Sequence, residues 1–106
     1  MELRLNGKKR AVYMIVKYHN VLRAFAEVER ISTAAGITGY SRNTVSKVVK
    51  EFVEFGLLEK SGGGVSLTRL GQVILRDVEE LFEVLQEDEA EAEALRRYPH
   101  PRPERR

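Results

Sequence analysis

The sequence predicts a mainly α-helical domain carrying one small β-hairpin, with a long helix at each end. Three observations predict it. Apolar residues recur at helical spacing over about 8–28, 42–55 and 69–97, and glycines at 39 and 56 interrupt the pattern. The run Ser61-Gly62-Gly63-Gly64 separates two short apolar segments, as the tip of a hairpin does. A chain of 106 residues is one domain by length, and 42% hydrophobic with 32% charged residues places it among folded, water-soluble proteins.

Taken in order, Leu3 and Leu5 alternate with Glu2 and Arg4 before Asn6-Gly7, which reads as a short strand or a frayed end. From Lys8 to Val28 one stripe holds Val12, Ile15, Val16, His19, Leu22 and Ala26. A second stripe holds Met14, Tyr18, Val21, Phe25 and Val28. A helix apolar on two sides is expected to be buried on both, against the body and against a partner chain. Asn20 is the expected point of a bend. Ile31-Ser32-Thr33 reads as a brief extended link whose Thr33 caps a short helix ending at Thr38. Gly39-Tyr40 then forms a turn, Ser41 caps a helix over 42–55, and Gly56 stops it. Beyond the hairpin, Thr68 caps a final helix from Arg69 to about Arg97, ended by Pro99. The tail 98–106, rich in Pro and Arg, is expected to be disordered.

Residues 31–52 match a helix-turn-helix template. The first helix needs a small residue where the second crosses it, the turn needs a residue that tolerates positive φ, and the second helix needs apolar anchors. Ala35 stands four residues before Gly39, Val45 and Val48 stand at the anchor positions, and Ala34, Thr38 and Tyr40 fill the semi-buried places. With EFGLLEK, the glycine hairpin and SLTRLGQVIL following, residues 20–76 resemble the prokaryotic and archaeal winged-helix transcription regulators of the MarR-like neighbourhood. The resemblance implies a winged helix-turn-helix fold over 1–76, with an extended first helix and 69–97 as a dimerisation helix, and it implies binding to double-stranded DNA. Three departures stand out: Gly36 inside the first short helix costs roughly 1 kcal/mol relative to Ala, Thr38 replaces the larger apolar residue common there, and the small wing carries only Lys60 near its tip.

At roughly 100° per residue, Val45, Val48, Val49 and Phe52 share one side of the second helix, with Asn43, Lys47 and Lys50 opposite and Arg42 and Ser46 bordering them. Arg and Asn can bond bidentately to guanine and adenine edges in the major groove. Lysines and hydroxyls near a helix N-terminus suit phosphates. The expected DNA-contacting set is therefore Thr33, Tyr40, Ser41, Arg42, Asn43, Thr44, Ser46, Lys47 and Lys50, with Lys60 and Ser61 on the wing.

Ile74, Val78, Leu81, Leu85, Asp88, Ala92 and Leu95 recur at alternating spacings of four and three, a heptad seam interrupted by Asp88. A helix of nearly thirty residues, ~40 Å at ~1.5 Å per residue, is longer than a small domain can cover. The expectation is a homodimer joined through Val12, Ile15 and His19 and through Val78, Leu81, Leu85, Ala92 and Leu95. Charge is segregated: residues 1–76 hold 13 Lys+Arg against 6 Asp+Glu, residues 77–95 hold nine acidic residues and no basic ones, and residues 96–106 hold five Arg and one Glu. The basic body suits a polyanion and the acidic stretch does not.

Other classes are disfavoured. The chain has no cysteine, so disulfides, thiol nucleophiles and cysteine zinc sites are excluded. Its two histidines, His19 and His100, lie far apart, with no metal-binding spacing around them, and the triglycine lacks the Lys-Ser/Thr of a phosphate loop. No catalysis, cofactor or metal is expected. The longest apolar run, 11–16, is too short to span a bilayer, no signal-peptide layout appears, and the expected location is the cytoplasm, at the nucleoid. Two other functions fit the same fold: an interaction module that docks through its acidic helix, and a sequence-tolerant architectural chromatin protein.

Overall fold

The computed structural model describes the backbone of residues 2–97 and the side chains of residues 7–86. Among these residues five helices and one hairpin follow in the order α1 (Glu2–Lys17), α2 (His19–Phe25), α3 (Ile31–Thr38), α4 (Arg42–Glu54), β1 (Leu58–Ser61), β2 (Gly64–Leu67) and α5 (Arg69–Arg97). The tail expected to be disordered lies outside the described residues.

Three expectations for the N-terminal half are corrected. Residues 2–6 are neither strand nor frayed end, because α1 begins at Glu2. The single helix expected over 8–28 is two helices, and the break falls at Tyr18 rather than Asn20. Tyr18 has φ −117° and ψ 30°, outside helical values. Its ring packs edge-on against Tyr40, with centroids 5.4 Å apart, so a tertiary contact and not a weak helix former sets the break. Lastly, Ile31–Thr33 is not an extended link but the first turn of α3. The extended residue is Arg30 (φ −104°, ψ 140°), whose carbonyl accepts the Ala34 N–H at 3.0 Å. Ile31 packs on the core, which draws the helix start back to it, and Thr33 is not a cap.

The α3–α4 connection forms for local reasons. Gly39 holds φ 85°, a left-handed value that glycine adopts without steric cost, and its N–H reaches Ala35 O at 2.9 Å. Ser41 then leaves the helix at φ −70°, ψ 160°, and its Oγ accepts the Thr44 N–H at 3.1 Å. Such a cap is worth about 1 kcal/mol. Thr38, polar at a half-buried place, donates its hydroxyl to Ala34 O at 2.9 Å and so carries no unsatisfied hydrogen bond inward.

The core gathers Val21, Leu22 and Phe25 from α2, Ala34 and Ala35 from α3, and Val45, Val48, Val49 and Phe52 from α4. Leu57, Leu58, Val65 and Leu75 close it from the hairpin and α5. The two small alanines let α3 and α4 approach closely.

β1 and β2 pair antiparallel from Leu58↔Leu67 to Ser61↔Gly64. The tip is thus only Gly62-Gly63, with φ 57° and 83°, the two positive values a tight type I′ turn requires. At the other end Thr68 ties three segments together. Its Oγ1 donates to Gly56 O at 2.6 Å and accepts the Gly71 N–H at 2.9 Å, and its own N–H reaches Leu57 O at 3.0 Å. Gly71 is buried beneath this junction, where a Cβ would collide with the Leu57 carbonyl.

Candidate nucleic-acid interface

α4 presents two chemically distinct faces because its sequence separates them. Val45, Val48, Val49 and Phe52 are buried, while Arg42, Asn43, Ser46, Lys47 and Lys50 are exposed. The first turn therefore offers a guanidinium, an amide and a hydroxyl beside the positive end of the helix dipole. Among the described residues neither Arg42 nor Asn43 uses its side chain in a hydrogen bond within the chain. The Ser41 and Thr44 hydroxyls are differently placed: Ser41 donates to Thr44 Oγ1 at 3.1 Å while capping the helix, so this pair is engaged with itself. Tyr40 is half-buried against Tyr18, and Thr33 is exposed on α3.

Lys47 and Lys50 belong to a groove between α1 and α4. Arg10, Met14 and Tyr18 line one wall, and Thr44, Lys47, Val48, Lys50 and Glu51 line the other. α1 thus runs alongside α4 in the opposite direction. At the groove's end Arg10 grips Glu51 through two bonds, Nε–Oε1 at 3.2 Å and Nη2–Oε2 at 2.9 Å. Hydrogen bonding to Arg10, and then its charge, holds the Glu51 carboxyl below its ordinary pKa, and the same bond raises that of Arg10. Two turns further along α1, Lys17 Nζ donates to the Tyr13 hydroxyl at 3.1 Å, which raises its pKa, and it lies over the Tyr18 ring at 5.4 Å from the centroid.

Lys60 and Ser61 lie apart from this groove. They line a second concavity with Glu29, Arg30, Ile31, Ser32 and the glycines of the hairpin. The Val65 N–H bonds to Glu29 O at 2.9 Å and fixes the hairpin beside the start of α3, which brings Arg30 to the same hollow as Lys60. Arg10 and Arg30 are cations that sequence reasoning left out of the site. No local pattern marks either, since each reaches it through a contact between residues 30 or more positions apart.

Of the residues expected at a dimer interface, Val12, Leu81 and Leu85 are 60%, 51% and 46% exposed. Ile15 and Val78 are half-buried. His19 stacks on Phe82 of its own chain with centroids 4.5 Å apart, and its Nδ1 lies 2.9 Å from Val16 O. Ala92 and Leu95 lie outside the described side chains. Val16, Leu70 and Val84 are further exposed apolar residues on α1 and α5.

Among the described residues no group of three or more His, Asp or Glu side chains could hold a metal ion, and no helix is long and apolar enough to cross a membrane. No curated protein matches the chain. Residues 12–90, about three quarters of its length, match the family model of the HVO_A0261 N-terminal domain, and that span takes in every element from the middle of α1 to most of α5. The chain therefore belongs to the HVO_A0261 N-terminal domain family.

Proposed function

We propose that this protein is a homodimeric winged helix-turn-helix DNA-binding protein, a transcription regulator that lays α4 in the major groove. The observation that carries the reading is α4 itself. Its apolar face is wholly taken up by the core, and its other face sets Arg42, Asn43 and Ser46 at an open helix end with Lys47 and Lys50 behind them. Arg and Asn are base-reading side chains, and the lysines neutralise phosphates. The mainly helical fold, with a tight hairpin directly after α4, is compatible with a winged helix, the hairpin being the wing. The α3–Gly39–α4 connection supports the helix-turn-helix. Arg30 and Lys60, facing one hollow, supply cations beside a wing tip that has none of its own.

Binding to random and selected duplexes, measured across a salt series, tests the proposal. A selected duplex preferred by roughly a thousandfold or more, within the roughly 10³–10⁷ range usual for specific proteins, supports a regulator. Steep salt dependence without preference supports the architectural role instead. Absence of binding to either duplex at low salt would leave the interaction module.

A further inference from the structure

The Arg10–Glu51 pair stands on the same side of α4 as the lysines assigned to phosphate. Lys47 and Glu51 are one helical turn apart, Lys50 adjoins Glu51, and all three line the groove with Arg10. A carboxylate there opposes any polyanion that meets Lys47 and Lys50, and it also occupies the guanidinium best placed to join them. The Arg10 side chain is 56% accessible and the Glu51 side chain 29%, so neither is buried and burial does not require the pair. An exposed pair of this kind contributes little to stability.

We propose that Glu51 is an affinity-setting residue for DNA. It holds Arg10 within the chain and keeps one cation out of the phosphate contacts made by Lys47 and Lys50. Arg10 is thus a withheld phosphate ligand, available only when a backbone phosphate displaces the Glu51 carboxylate. The bidentate geometry makes the competition direct, because the same planar guanidinium fork serves a carboxylate or a phosphate with equal fit. One turn of helix separates Arg10 from Met14, whose side chain is in the core, so the backbone stays anchored while the guanidinium exchanges partners. The consequence is a protein tuned below its maximal affinity, which helps a regulator to leave non-specific DNA.

This inference rests on the DNA-binding reading, and the test separates the two. Binding of wild type, K47A, E51Q and the double variant R10A/E51Q to a duplex of random sequence is measured from low to moderate salt. Thermal melting of each protein accompanies it. E51Q is expected to bind more tightly, by up to about tenfold near 0.1 M salt, with a salt slope steeper by about one, the signature of one added phosphate contact. R10A/E51Q should lose that added slope. An E51Q slope equal to wild type, or one equally steep in the double variant, overturns the proposal while K47A still weakens binding and upholds the DNA reading. Wild type that fails to bind in a salt-dependent way removes both.

Discussion

The polar residues of α4 divide by the bond each type can make. Arg42 and Asn43 have side chains that can read base edges, whereas Lys47 and Lys50 carry point charges suited to the backbone. Under the proposed function, Arg42→Ala or Asn43→Ala should lower affinity for a selected duplex by about 1–3 kcal/mol and flatten preference at one or two positions. Lys47→Ala or Lys50→Ala should weaken every sequence alike and reduce the salt slope by about one. Competition assays against single-base variants of the selected duplex distinguish the two, and equal behaviour of both sets would end the division of labour. A second residue-scale expectation concerns the scaffold. Gly71 lies where a Cβ would strike the Leu57 carbonyl, part of the rigid junction held by Thr68. Gly71→Ala must push α5 away from the strand entry, at a cost on the order of 2 kcal/mol or more. Gly36→Ala is the matched control: its Cβ would meet nothing within 4 Å, its site is helical, and melting should rise slightly.

Among the elements, those whose pattern is local were legible in the sequence. α4 was readable because cap, apolar face and stop signal all agree: Ser41, the three valines with Phe52, and Gly56 at φ 83°. The hairpin was readable from its glycines, although the tip assigned to Ser61-Gly62-Gly63-Gly64 narrows to Gly62-Gly63 because Ser61 pairs with Gly64. The division between α1 and α2 was not, because Tyr18 is an adequate helix former and breaks the helix only on meeting Tyr40, 22 positions on. The start of α3 was hidden for a similar reason, since Ile31 is recruited by the core. At the candidate site the same distinction holds. Arg42, Asn43 and the lysines could be placed by helical spacing, but Arg10–Glu51 joins residues 41 apart and Arg23–Glu79 residues 56 apart. The latter fastens α2 to α5, with Arg23 Nε donating to Glu79 Oε2 at 2.8 Å. Hydrogen bonding to Arg23 holds the Glu79 carboxyl below its ordinary 4.5. A depressed carboxyl stabilises the fold fully above its unfolded pKa, and that contribution is lost as pH falls through the folded value. Melting temperature should therefore fall below about pH 4.5 more steeply for wild type than for E79Q, and a parallel fall in both would assign the acid loss elsewhere.

At the scale of the whole molecule, α5 is the longest element. Its 29 residues span about 43 Å at ~1.5 Å each. Its contacts with α2 come at Glu79 and Phe82, and beyond them Val84 and Leu85 join Leu81 as a largely exposed apolar strip at spacings of three and one. Under the proposed homodimer this strip is the candidate contact surface. Asp77, Glu80 and Glu83 beside it make two parallel α5 helices self-repelling, so the proposed partner contact is better satisfied by α5 of one copy against α1 of the other. There Lys8, Lys9 and Lys17 stand near the exposed Val12 and Val16. Changing both Leu81 and Leu85 to Ser leaves the core untouched, and helical content by circular dichroism should hold. Under the proposed homodimer, sedimentation should then show a species near 12.1 kDa for the variant and about twice that mass for the wild type. Because a dimer engages two half-sites at once, the same variant should lose about a hundredfold or more in affinity for a two-site duplex while keeping its affinity for a single half-site. A wild type already monomeric at micromolar concentration, or a Ser variant still dimeric, would detach α5 from assembly and leave its apolar strip to a different partner.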